Sequence, residues 1–289
     1  MCVILTAIAM TPYEHKALKD IRAWQAEPPS WGTRLLAKPG RKVAEFVQVL
    51  VPTGALRAAL SGADKLGRKL SDERSILQRA GVASLADLRE QPLEVCDRLS
   101  RHVGRRATTL GGAAGAVFGI VGAAGLIADV PTLLTLAMRT IHRIALCYGE
   151  PAGTAQERRI AIAIFALVSA NSADEKLAAL NALHHGGELL DAAWRDGVER
   201  VAERELAKDA TAYSLQNLAR AVGLNLGKRK VAGTIPVVGA AVGGAVNAWY
   251  VADVAQTARY VFQERWLRER YPRAVTASAL SAPGAPDGH

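Results

Sequence analysis

The chain has 289 residues, half of them hydrophobic but only 5% aromatic, and carries 36 lysines and arginines against 27 acids, a net charge of +9. That length buries a substantial core, and alanine, leucine and valine must supply most of it, which points to closely packed helices. Cys2, Cys96 and Cys147 lie too far apart for a metal or redox spacing and do not form a disulfide framework, while the basic balance suits an anionic partner, acidic lipid headgroups or nucleic acid.

Residues 1–10 form a short apolar segment without the positive region of a secretory signal, so export is not expected. Thr11, Pro12 and Glu14 supply an N-cap, an N1 proline and an N3 acid, predicting a helix over 11–26 that stops before Glu27, Pro28 and Pro29. Residues 33–80 read as helical with breaks at Pro39 and Pro52. Ser84 with Asp87 repeats the capping pattern, and a helix over 92–105 leads into a glycine-rich run. Asp129, Val130 and Pro131 read as a break, with Asp129 capping a new helix that continues to Tyr148 and closes at Gly149. Thr154 with Glu157 and Ser172 with Glu175 start helices over 155–171 and 173–185, the second closed by Gly186 and Gly187. Further helices are expected over 188–208 and 210–222, and a last one from Pro236 to Tyr271. No segment alternates with period two, so the fold class is all-α. One helical domain spans 11–272, followed by a disordered Ala/Ser/Pro/Gly-rich tail over 273–289.

Two stretches longer than 20 residues carry no charge: Ala107 to Ala128 and Val231 to Ala252. Basic clusters precede them, Arg105 and Arg106 in one case and Lys228, Arg229 and Lys230 in the other. Each ends in Ala-Asp-Val (128–130 and 252–254), a weak pseudo-repeat. Gly111, Gly115 and Gly119, then Gly239 and Gly243, fall at the four-residue spacing of closely packed helices. The expectation is a multi-helix bundle with two central helices of glycine-zipper type. Their length reaches a bilayer span, but so many glycines weaken insertion. Spanning lipid, docking on lipid and burial in a soluble core all stay open.

Read in order, these features resemble the EcsC family of bacterial proteins. The resemblance begins at Tyr13 and Glu14 with Trp24 one helix later. It continues through the glycines of 111–122, Asp129-Val130-Pro131, and Arg139, Ile141, Ile144, Ala145, Tyr148 and Gly149, and closes over 235–267. The Asp-Leu-Pro common in the family reads Asp129-Val130-Pro131 here. The resemblance implies a membrane-proximal accessory role, since the family's namesake is encoded beside subunits of an ABC transporter linked to secretion. It brings no catalytic residues.

The residues themselves support no catalysis and no cofactor. Residues 223–229 are one residue short of a phosphate loop. His184 and His185 with Glu188 and Asp191 are read as a polar helix end rather than a metal site. Among polar candidates, Asp129 could pair with Arg139 or Arg143, and Asp253, mid-helix beside Trp249 and Tyr250, with Arg139 or Arg259. A second basic cluster (Arg259, Arg265, Arg268, Arg270, Arg273) surrounds Trp266 and Tyr271, as at a lipid interface or on a solvated face. The expected partner is an anionic membrane surface or a membrane protein such as ABC transporter subunits, at the cytoplasmic face of the cell membrane. Nucleic acid ranks below these for want of a recognition helix or stacking platform. The alternatives are a soluble bundle holding a lipid or other apolar ligand in a central cavity, and an enzyme acting through Asp129, Asp253, Arg139 and His142.

Overall fold

A computed structural model describes residues 9–29, 62–121, 123–170, 172–187 and 236–280. Among these residues there are helices and no strands. The helices are α1 (Pro12–Ala26), α2 (62–69), α3 (Glu73–Ala80), α4 (Leu85–Arg89), α5 (Leu93–Val121), α6 (Ala123–Cys147), α7 (Ala155–Ser169), α8 (Ala173–His185), α9 (Pro236–Arg270) and α10 (Pro272–Leu280).

Local chemistry sets most boundaries. The Thr11 hydroxyl accepts the Glu14 N–H while the Glu14 carboxylate accepts the Thr11 N–H, the reciprocal box expected. Glu27, ahead of Pro28, turns extended and ends α1. Ser84 and Asp87 form the same box at α4. At the end of α6 the Gly149 N–H donates to Leu146 and the Glu150 N–H to Ala145, closing the helix with Gly149 at φ 75°. A Cβ on Gly149 would also lie 2.8 Å from the Arg89 Cα, so only glycine fits here.

Two expectations change. The break does not fall at Asp129 to Pro131: α6 starts at Ala123 and carries Pro131 inside it, so Asp129 is a buried mid-helix residue and not an N-cap. The first glycine-rich run is thereby divided between two helices. The tail is also not wholly disordered, because α10 occupies Pro272–Leu280. Its first turn is tied down by Val275, which is buried.

The core forms where α5, α6 and α9 pack along one another, with α7 laid against them. Every residue of α7 from Ile160 onward is buried, the pattern of a helix covered on all sides. α5 and α9 run antiparallel. Sites facing Gly104, Gly111 and Gly115 on α5 are Ala255, Val251 with Asn247, and Gly243 on α9. Glycine lets these two backbones meet: a Cβ on Gly111 would lie 2.9 Å from Val251 Cγ2, and one on Gly243 would lie 2.7 Å from the Gly115 carbonyl oxygen. The space that small residues leave is filled by the facing helix.

Candidate functional site

The outer face of α5 carries three of the six large apolar side chains that are exposed among the described residues. Leu110, Val117 and Ile120 are 50%, 60% and 66% exposed, far above what large apolar side chains in a core-forming helix show. With exposed Arg106 and Ala113 they follow a spacing of three or four residues, one continuous stripe. Exposed Arg98 and Arg105 flank the stripe nearer the start of the helix, while Arg101 lies on the far edge and donates to the Tyr13 hydroxyl at 3.3 Å. The local potential there is positive: the His102 pKa is pushed down first by burial, then by Arg79, Arg106, Arg105 and Arg143. None of the described helices is long and apolar enough to cross a membrane.

Beneath that face lies a polar crossing point. The Asn247 side-chain amide, on α9, donates to Asp129 Oδ1 on α6 at 2.9 Å, both residues being buried. Asp129 is thus a tie between helices. The two arginines expected to pair with it also serve other groups: Arg139 Nε donates to the Leu70 carbonyl at 2.8 Å and Arg143 lies 3.3 Å from the Ser75 hydroxyl. Asp253 is half-buried, and its charge, with that of Glu27, partly offsets the burial that pushes the Lys176 pKa down. Arg259 lies over the Tyr260 ring at 4.7 Å. Gly119 packs against Gly243, while Gly239 lies within α9 in a stretch whose side chains fall outside the description. Lys228, Arg229 and Lys230, residues 223–227, Glu188 and Asp191 lie outside the described residues.

Most of the second basic cluster is engaged with other side chains, although Arg268 and Arg273 are exposed. Arg265 pairs with Glu150 at 2.8 Å and Glu269 at 3.2 Å, Arg268 pairs with Glu264 at 2.9 Å, and Arg270 stacks on buried Trp266 at 3.8 Å. The contacts with Glu269, Glu264 and Trp266 lie within α9, and the Arg265–Glu150 pair ties that helix to the end of α6. Glu264 is buried at the floor of a cleft of about 310 Å³ lined by Arg159, His184, His185, Arg265 and Arg268. Burial would raise its pKa, but the His184 contact and the charges of Arg268 and Arg22 outweigh that and bring it down to about 2.

Of two further buried centres, the first was not foreseen, and in the second His142 was a candidate but its partners were not. Asp97 is fully buried on α5 and accepts from the Tyr13 hydroxyl at 2.6 Å, the Tyr148 hydroxyl at 2.5 Å and Gln263 Nε2 at 2.5 Å. Tyr13 and Tyr148, the ends of two separate resemblance motifs, therefore meet on one carboxylate. The other centre surrounds His142, which is also fully buried. Glu157 accepts at Nδ1, and Asp64 Oδ1 lies 3.2 Å from Nε2. That second approach is an ion pair when the ring is protonated, though it lacks good hydrogen-bond geometry. Burial would lower the His142 pKa, but the two carboxylates outweigh it and raise it to about 9. Arg68 holds the other Asp64 oxygen at 3.0 Å.

Sequence carried a partial signal for these groups. Glu157 was legible only as a capping acid: its N–H does bond the Thr154 hydroxyl, but its carboxylate turns to His142 and to the Gly153 N–H. Asp64 and Asp97 stand one turn from arginines and read locally as solvated helix charges.

The model of the EcsC protein family matches residues 15–267. The chain is 23% identical to the Bacillus subtilis (strain 168) protein named "Uncharacterized protein YdbA", over 89% of this chain and 93% of that one. No solved structure matches it.

Proposed function

The chain belongs to the EcsC protein family, and from that premise we propose that it is a non-catalytic accessory protein that docks on an anionic membrane surface through α5. The observation that carries this reading is the exposed stripe of Leu110, Val117 and Ile120 with exposed Arg98, Arg105 and Arg106 in or beside it. Apolar side chains at helical spacing enter the headgroup boundary, and basic groups beside them attract anionic lipid. A helix packed on the bundle by its other face can do this without crossing. A membrane partner such as ABC transporter subunits would then be met at the bilayer, as the family resemblance implies. The cavity alternative gains less support, because facing backbone and side chains fill the space beside Gly111, Gly115 and Gly243.

Vesicle flotation tests the reading. The full chain is expected to float at low salt with phosphatidylcholine vesicles containing phosphatidylglycerol and to remain behind with phosphatidylcholine alone. Val117→Asp with Ile120→Asp is expected to abolish flotation while leaving the circular dichroism spectrum unchanged. A wild-type protein that stays unbound to anionic vesicles at low salt would overturn the proposal.

A further inference from the structure

The cluster of Asp64, His142 and Glu157 plays no part in membrane docking. Three elements bring it together. α2 packs so closely on α6 that a Cβ on Gly67 would lie 2.9 Å from the Arg139 nitrogen and 3.3 Å from His142 Cδ2, which delivers Asp64 to one edge of the ring. The N-terminus of α7 delivers Glu157 to the other edge, its carboxylate also fixed by the Gly153 N–H at 3.2 Å. All three side chains are buried, and one ligating atom from each lies within 4.8 Å of the others.

His142 Nε2 and Asp64 Oδ1 face each other at 3.2 Å, an ion pair when the ring is protonated but without good hydrogen-bond geometry. With the ring neutral both atoms would be left unpaired, at a cost of about 1–3 kcal/mol each, so a cation between them can take the place of the proton. Neighbouring ligands of one cation, each bound at about 2.0–2.2 Å, stand at just such a separation. The opposite ring nitrogen already has its carboxylate. That arrangement, carboxylate to one nitrogen and metal to the other, orients a ligating histidine. With His142 neutral, as a ligand must be, Asp64, Glu157 and Arg68 sum to one negative charge, which favours a cation.

We propose that His142 Nε2 and Asp64 Oδ1 ligate one first-row divalent cation, with Glu157 holding the ring through Nδ1. The mixed nitrogen and oxygen set suits zinc or manganese. The ion pins α2 and the start of α7 to α6, a structural staple distinct from the docking face of α5.

The full chain, stripped with chelator and desalted, is titrated with Zn²⁺ and separately with Mn²⁺, and bound metal is measured by elemental analysis after a second desalting. One ion per chain and a raised melting temperature are expected. Glu157→Gln should weaken uptake about 10- to 100-fold, and His142→Gln should abolish both uptake and the thermal shift. Replacing His184 and His185 together by alanine should change neither. If the wild type retains neither metal, or the His184/His185 variant loses the ion, the proposal is overturned, and these two results decide it even where a His142 variant does not fold. Undiminished uptake by folded His142→Gln would overturn it equally.

Discussion

Gly115 and Gly243 face each other across α5 and α9 with no side chain between them: a Cβ on Gly243 would lie 2.7 Å from the Gly115 carbonyl oxygen. The two longest helices of the described chain are held at backbone contact by that pair. In an exposed helix, glycine to alanine gains up to about 1 kcal/mol. Here the added methyl must push the helices apart, and overpacking of this kind costs about 1–3 kcal/mol. Gly243→Ala is therefore expected to destabilise, whereas Gly62→Ala, where nothing lies within 4 Å, is expected to be neutral or stabilising. Urea unfolding of the two variants measures the contrast, and equal midpoints would refute the close-approach account.

Removing the Tyr148 hydroxyl should be costly. It is fully buried and donates to Asp97, a hydrogen bond to a charged group worth about 1.5–3 kcal/mol. Tyr148→Phe is expected to lose that much. Tyr13→Phe should lose less, because Tyr13 is only partly buried and water can replace it. Asp97→Asn should lose the most, since it weakens every bond to the hub. Chemical denaturation orders the three variants.

Acid should unfold the protein partly through Glu264. Its folded pKa of about 2 lies below its ordinary value near 4.5. The stabilisation is thus fully present above about pH 4.5 and is lost as pH falls toward 2, on the order of 3 kcal/mol in all. Glu264→Gln should lower the melting temperature at neutral pH and shrink its decline between pH 5 and 2. An unchanged acid limb in that variant would show that other carboxylates carry the transition.

The arginines of α5 should tune membrane affinity without altering the fold. Each basic group near an anionic surface contributes about 1 kcal/mol, or roughly fivefold in partitioning. Arg105→Gln and Arg106→Gln are each expected to weaken binding to phosphatidylglycerol vesicles by about that factor. Arg265→Gln should not, because Arg265 is engaged with Glu150 and Glu269. Vesicle partitioning at several salt concentrations separates the two classes, the first losing its advantage as screening rises.

Much of the fold was legible because its signals are local. Thr11, Ser84, Thr154 and Ser172 each cap the helix expected of them, and Gly149 and Gly186 close theirs. Caps act within four residues, so the amino-acid order alone contains them. Pro131 misled for the same reason. Locally it reads as a stop, but α6 runs from Ala123 through Pro131, and Leu133, Leu134, Ala137 and Met138 bury the turns that follow the proline.

The amino-acid sequence by itself determined the all-α class, the helix starts, and the glycines that permit close packing, since each follows from local hydrogen bonding or from the absence of a Cβ. Only the tertiary structure decided what the charged groups do. The partners of Asp97, Asp129, Glu157 and Glu264 come from other elements, up to 242 residues away for the Arg22 pair with Glu264. No periodicity encodes such meetings. Burial then converts charges that look like a solvated surface into hubs that must be satisfied, and leaves the outward face of α5 as the one long apolar stripe, among the described residues, still open to a partner.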